Sequence, residues 1–91
     1  MGFSTMASAI TYGDLEDTLL SLGFQLNVTP EKYRLFRHPH SEAVVMLPAY
    51  RRDRAALQTH IVSVRSTLDG FGFIDRDEFD DIVRKHGRAA S

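Results

Sequence analysis

Between Phe24 and Pro48, three short apolar-rich runs follow one another with only turn residues between them, and this restricts the chain more than any other feature. Phe24 to Val28 alternates apolar and polar residues as a half-buried strand does, with Phe24, Leu26 and Val28 inward and Gln25 and Asn27 outward. Thr29-Pro30-Glu31-Lys32 turns the chain, with proline presetting φ, into a second strand from Tyr33 to His38. Pro39-His40-Ser41-Glu42 leads into a third, Ala43 to Leu47, which Pro48 closes. A parallel crossover needs roughly a dozen residues or more, so connections this short make an antiparallel meander.

Helical periodicity brackets the strands. Thr11-Tyr12-Gly13-Asp14 has capping-box spacing, with Asp in place of the usual Glu, and Leu15, Leu19 and Leu22 recur behind it. Gly23 then stops the helix, because glycine enters the left-handed region without strain. Asp53 is positioned to cap a long helix in which Leu57, Ile61, Val64 and Leu68 form one apolar stripe, ending near Leu68. After the Asp69-Gly70-Phe71-Gly72 loop, Asp75 is positioned to cap a last helix with Phe79, Ile82 and Val83 inward. The order α-β-β-β-α-α predicts an α+β fold, a three-stranded antiparallel sheet with helices packed on one face. Phe24, Leu26, Ile61, Val64 and Leu68 are expected to share its core.

A chain of 91 residues supports one core and no second domain. The domain is expected over residues 11–86, between a flexible N-terminal tail (1–10) and a flexible C-terminus (87–91). The absence of cysteine excludes a disulfide framework and thiolate metal sites, and makes a reducing cytoplasm the default location. The first ten residues lack the pattern of a signal peptide, and no apolar run approaches a membrane span, so no membrane association is expected. Net charge is -1, yet its distribution is uneven. Residues 1–30 hold three acids and no Lys or Arg, 31–65 seven Lys/Arg against three acids, and 66–91 four against six.

The second and third strands carry apolar residues on both parities: Tyr33 and Leu35 against Phe36, and Val45 and Leu47 against Val44 and Met46. Either loops cover the second face or it is a surface for a dimer or another partner.

The order of elements and the residues at the strand junctions resemble the HicA family of small bacterial toxins, which cleave mRNA and have a fold like the double-stranded-RNA-binding domain (dsRBD-like). The resemblance covers roughly residues 12–74. Leu19-x-x-Leu22-Gly23-Phe24 is similar to the end of the family's first helix, Phe36-Arg37-His38-Pro39 to its second strand and Val45-Met46-Leu47-Pro48 to its third. Val64-Arg65-x-x-Leu68-x-x-x-Gly72 is similar to its second helix. The resemblance implies an RNA substrate and an antitoxin-like protein partner.

The chain departs from the family where the chemistry lies. The family opens its second strand with Gly-Ser-His, the His being the expected base, and aligning on Phe36-Arg37-His38-Pro39 places Glu31-Lys32-Tyr33 there. Where the family often has Pro-x-His after the third strand, this chain has Pro48-Ala49-Tyr50. A base that activates an RNA 2′-hydroxyl works best with a pKa near the operating pH, as histidine has; tyrosine, near 10, is only about a thousandth ionised at pH 7. His38 is five residues along an extended strand from Tyr33, about 17 Å away with opposite parity. No catalytic residue is therefore assigned, and little or no ribonuclease activity is expected.

The basic residues Lys32, Arg34, Arg37, Arg51, Arg52 and Arg54, interleaved with Tyr33 and Tyr50, are the candidate nucleic-acid contacts: the cations suit phosphates and the tyrosines suit base stacking. The competing reading is a solvated surface whose arginines pair with the acidic ends of the chain. Gly70 to Phe79 is similar to the second half of an EF-hand loop. Counting back from Glu78, however, Thr67 and Phe71 occupy ligand positions and only Asp69 in that half is an acid, so no calcium site is expected. His38, His40, His60 and His86 lack metal-ligand spacing and read as surface histidines, with His60 bordering the core. No cofactor is expected. Two functions remain open: a HicA-like RNA-binding domain with little or no nuclease activity, and a protein-interaction or homodimerisation module of toxin-antitoxin origin.

Overall fold

The computed structural model describes residues 10–28 and 32–89. The expected tail before Ile10, the turn at 29–31 and the last two residues lie outside them. The elements are α1 (Tyr12–Ser21), β1 (Gln25–Val28), β2 (Tyr33–Arg37), β3 (Val44–Pro48), α2 (Gln58–Gly70), a 3-10 turn (Arg76–Glu78) and α3 (Phe79–Ala89). This is the α+β class and the α-β-β-β-α-α order that the periodicity predicts.

The capping box opens α1 as expected. Thr11 Oγ1 accepts the Asp14 N–H at 3.1 Å and Asp14 Oδ2 accepts the Thr11 N–H at 3.0 Å, so the shorter acid completes the box. Two more N–H groups of the first turn are satisfied from outside the helix: Tyr12 donates to the Arg54 carbonyl at 3.0 Å and Gly13 to the Arg52 carbonyl at 2.9 Å. Ile10, placed in the tail by sequence, is buried, and its carbonyl accepts the Ala56 N–H at 2.8 Å. Residues 10–13 are thus zipped to 52–56. Glycine at 13 permits this close approach, since a Cβ there would lie 3.0 Å from the Arg52 carbonyl oxygen. At the other end, Gly23 has φ +97°, the left-handed stop that the sequence predicts.

The strands pair antiparallel in the order β1-β2-β3, with Leu26 opposite Phe36 opposite Val45. Ala49 N–H donates to Lys32 O, and His38 N–H donates to Ala43 O. In the alternation of an antiparallel ladder, Pro48, opposite Tyr33, therefore directs its missing N–H away from β2. This is why β3 includes Pro48 instead of ending at Leu47, since an outward proline leaves the pairing with β2 intact. Phe36, Val45 and Leu47 are buried on the face that the helices cover.

Three local expectations are corrected. Leu26 has the inward parity but is 40% exposed, because β1 is an edge strand and the buried cluster centres on β2, β3 and the helices. Asp53 does not cap α2: the helix starts at Gln58 behind Leu57 with no side-chain cap, and Asp53 Oδ2 accepts from Arg51 instead. Asp75 precedes a 3-10 turn and caps it through its carbonyl, which accepts the Glu78 N–H, and not through its side chain. Val64, Leu68, Phe79 and Val83 are buried with Leu15 and Leu19 of α1, and Ile61 packs against this cluster.

Leu68→Ala should lower stability by about 2 to 5 kcal/mol, whereas Leu26→Ala should cost under about 1 kcal/mol. Gly13→Ala should destabilise by about 1 to 3 kcal/mol through the clash with Arg52, despite alanine's higher helix propensity. Urea unfolding of the three variants checks all of these.

Candidate nucleic-acid interface

The start of β2 and the end of β3 lie side by side, and this gathers Lys32, Tyr33, Tyr50 and Arg51 at one end of the sheet. Lys32 is held there in the left-handed region, φ +68°, where its carbonyl accepts the Ala49 N–H. Lys32, Tyr33 and Arg51 are exposed. Arg51 Nη2 is 3.0 Å from Asp53 Oδ2, a pair open to solvent on both sides and accordingly weak.

Arg34 and Arg52 are engaged differently. Arg34 follows Tyr33 and so lies on the opposite, helix-covered face, where Nη1 donates to Glu16 Oε2 at 2.6 Å. Arg52 donates through Nη1 to Glu16 Oε1 at 3.1 Å and through Nη2 to both oxygens of Asp17 at 2.8 Å. The hydrogen bond to Asp17 raises the Arg52 pKa above its ordinary value, against a partial desolvation that lowers it. The Glu16 side chain is 4% exposed, so this carboxylate is buried between two guanidinium groups. For Arg34 and Arg52 the competing expectation, pairing with the acidic ends of the chain, is what the structure shows, with Glu16 and Asp17 as the acids. The signal was available: Glu16 follows Leu15 and precedes Leu19 by three, inside the buried stripe of α1, where an acid requires a partner.

Tyr50 is also occupied. Its ring meets Tyr12 edge-on at 5.4 Å between centroids, and Arg54 Cζ lies 4.2 Å above it. Tyr12 is fully buried: its hydroxyl oxygen accepts the Leu57 N–H at 3.2 Å and stands 2.6 Å from His60 Nδ1. The hydroxyl oxygen accepts from Leu57, and the direction of its bond with His60 follows the tautomer of the ring. Arg37 is exposed at the far end of β2, about 13 Å from Tyr33 by strand rise.

The eight predicted contacts therefore divide. Lys32, Tyr33, Arg51, Arg54 and Tyr50 share one end of the sheet, Arg34 and Arg52 bind α1, and Arg37 stands apart. The rings of His38 and His60 lie elsewhere. His38 packs its ring on Phe73 at 4.7 Å and Phe24 at 5.2 Å, with its Nδ1 accepting the His40 N–H. His60 borders the core as expected, half-buried against Tyr12, whereas His38 is half-buried and not a surface residue, and His86 lies outside the described side chains.

Among the described residues no group of three or more His, Asp or Glu side chains is placed to hold a metal. Thr67 and Asp69, the first positions of the EF-hand-like segment, belong to α2, and Asp69 Oδ2 faces Arg76 Nε at 3.9 Å. No described helix is long and apolar enough to cross a membrane.

Comparison with family models, with curated proteins and with solved structures finds no match to this chain. The resemblance to HicA proteins rests on the junction residues of the sequence.

Glu16→Gln should destabilise the fold by about 1 to 3 kcal/mol, since two guanidinium groups lose their shared anion. Thermal unfolding checks this. Millimolar calcium should leave the midpoint of the wild type unchanged, because only a ligand that binds the native state raises it.

Proposed function

We infer that the protein is a HicA-like domain that binds RNA weakly at the end of the sheet where β2 begins and β3 ends, and cleaves it little or not at all. The observation that carries this reading is the setting of Tyr33. It is exposed at the position where the resemblance expects a histidine base, beside Lys32 and the Pro48–Arg51 segment, and the rings of His38 and His60 are engaged elsewhere. Phosphate binding needs only placed cations, which Lys32, Arg51 and Arg54 supply, whereas cleavage needs a base that titrates near neutrality. Arg34 and Arg52 contribute little to such binding, because Glu16 and Asp17 already hold them.

A second reading, a domain that holds an antitoxin-like protein, is favoured by the face of the sheet away from the helices. Tyr33, Val44 and Met46 are exposed there around the half-buried Leu35.

Fluorescence anisotropy with labelled single-stranded and duplex RNA across a salt series separates the two. The RNA reading expects weak binding that falls with salt. A Lys32→Asn, Arg51→Ala variant should flatten the slope by roughly 0.7 to 0.9 for each phosphate that the protein no longer neutralises. Asn is chosen at 32 because it tolerates the left-handed backbone. No binding at low salt would leave the protein-partner reading, and strong wild-type cleavage abolished in Tyr33→Phe would make Tyr33 catalytic.

A further inference from the structure

The free edge of β3 carries unpaired main-chain groups and almost none of the usual protection. In the β2–β3 ladder, Ala43, Val45, Leu47 and Ala49 bond toward β2. The alternation turns the N–H and C=O of Val44 and Met46 to the outside of the sheet, and no described residue partners them. Their side chains are 43% and 55% exposed. No charged residue occurs between Ala43 and Tyr50. Natural edge strands are guarded by charges, bulges, prolines or cover, and Pro48, at one end, is the one such device on this strand.

We propose that β3 pairs antiparallel with β3 of a second copy of this chain, about a two-fold axis at Val45, joining two three-stranded sheets into one. Val44 then faces Met46 of the partner subunit, and Met46 faces Val44 of the partner subunit. Each facing pair exchanges both main-chain bonds. The register follows from the residues. A slip of one would set the helix-covered face of one sheet against the open face of the other. A slip of two one way places Pro48 opposite Val44 at both ends, which removes two donors and leaves Met46 facing Met46 as the one pair within the strands that exchanges both bonds. A slip of two the other way sets Glu42 opposite Met46, placing a charge in the apolar strip. In the proposed register, Pro48 and Glu42 face each other only at the ends.

A second copy suits this edge because the two-fold axis makes it self-complementary. Antiparallel pairing brings the Glu42 end of one strand beside the end of the other that leads to the exposed Arg51, so opposite charges meet. On the open face, Val44 and Met46 of both copies make one apolar strip that continues through Leu35 on each side. On the other face, α2 packs against β3, and its exposed side chains between the end residues are Thr59, Val62, Ser63, Ser66 and Asp69, of which the one charged group, Asp69, lies in the last turn facing Arg76. The pairing uses the main-chain groups of Val44 and Met46, which the proposed RNA binding does not need.

Sedimentation equilibrium of the full chain over a micromolar to millimolar series, beside residue-resolved amide hydrogen exchange, tests this. The wild type should pass from monomer to dimer, and the Val44 and Met46 amides should gain protection in step. The Val45 and Leu47 amides, bonded to β2, should stay protected throughout. A Val44→Lys, Met46→Lys variant, changed only at exposed side chains, should remain monomeric and folded, with Val45 and Leu47 still protected. A wild type monomeric at millimolar concentration, a dimer whose Val44 and Met46 amides exchange freely, or a dimer that survives the lysine substitutions would each overturn the proposal. The wild-type exchange pattern decides the question even if the variant does not fold.

Discussion

A single buried carboxylate joins three parts of this molecule. Glu16 accepts from Arg34 on β2 and from Arg52 in the segment between β3 and α2, so α1, the sheet and the long connection meet at one anion. An unpaired carboxylate in that position would be strongly disfavoured. The two arginines therefore stabilise the packing of α1 on the sheet, and the same contacts reduce the positive charge they offer to a ligand. Asp17, on the more exposed side of α1, completes the hold on Arg52.

The connection from Pro48 to Gln58 is ordered through a second set of contacts that act with the first. Carbonyls of Arg52 and Arg54 cap the amino end of α1, the Ala56 N–H returns to Ile10, and the Tyr12 hydroxyl receives the Leu57 N–H. These bonds position Tyr50 against Tyr12 and Arg54 over Tyr50. A segment without regular secondary structure is thereby fixed by main-chain hydrogen bonds, as buried backbone groups require. The same order leaves the Arg51 side chain 85% exposed, against 51% for Arg52.

The two faces of the sheet are chemically distinct. The helix-covered face carries Phe36, Val45 and Leu47 and admits one charged side chain, Arg34, because Glu16 is there to meet it. The other face mixes polar Gln25 and Asn27 on β1 with apolar Val44 and Met46 on β3. Polarity thus falls from the β1 edge of the sheet to the β3 edge, so that the outward main-chain groups of β3 are flanked by apolar side chains.

The sequence by itself determined the order of elements, the stop at Gly23, the Thr11–Asp14 capping box and the membership of Val64 and Leu68 in the core. Each follows from interactions between residues close in the chain or from a repeat that any helix or strand must bury. It also showed the second face of the sheet to be partly apolar. Only the tertiary structure decided which arginines remain available and which main-chain groups of β3 turn outward. The partners of Arg34 and Arg52 lie 18 to 36 positions away in sequence, and charge counts treat all cations alike. Leu26 had the right parity and still came out exposed, because burial depends on what packs over a strand as well as on which way its side chains point. Asp53 had the spacing of a cap and became the partner of Arg51, since the start of α2 is set by where the long connection is tied to α1.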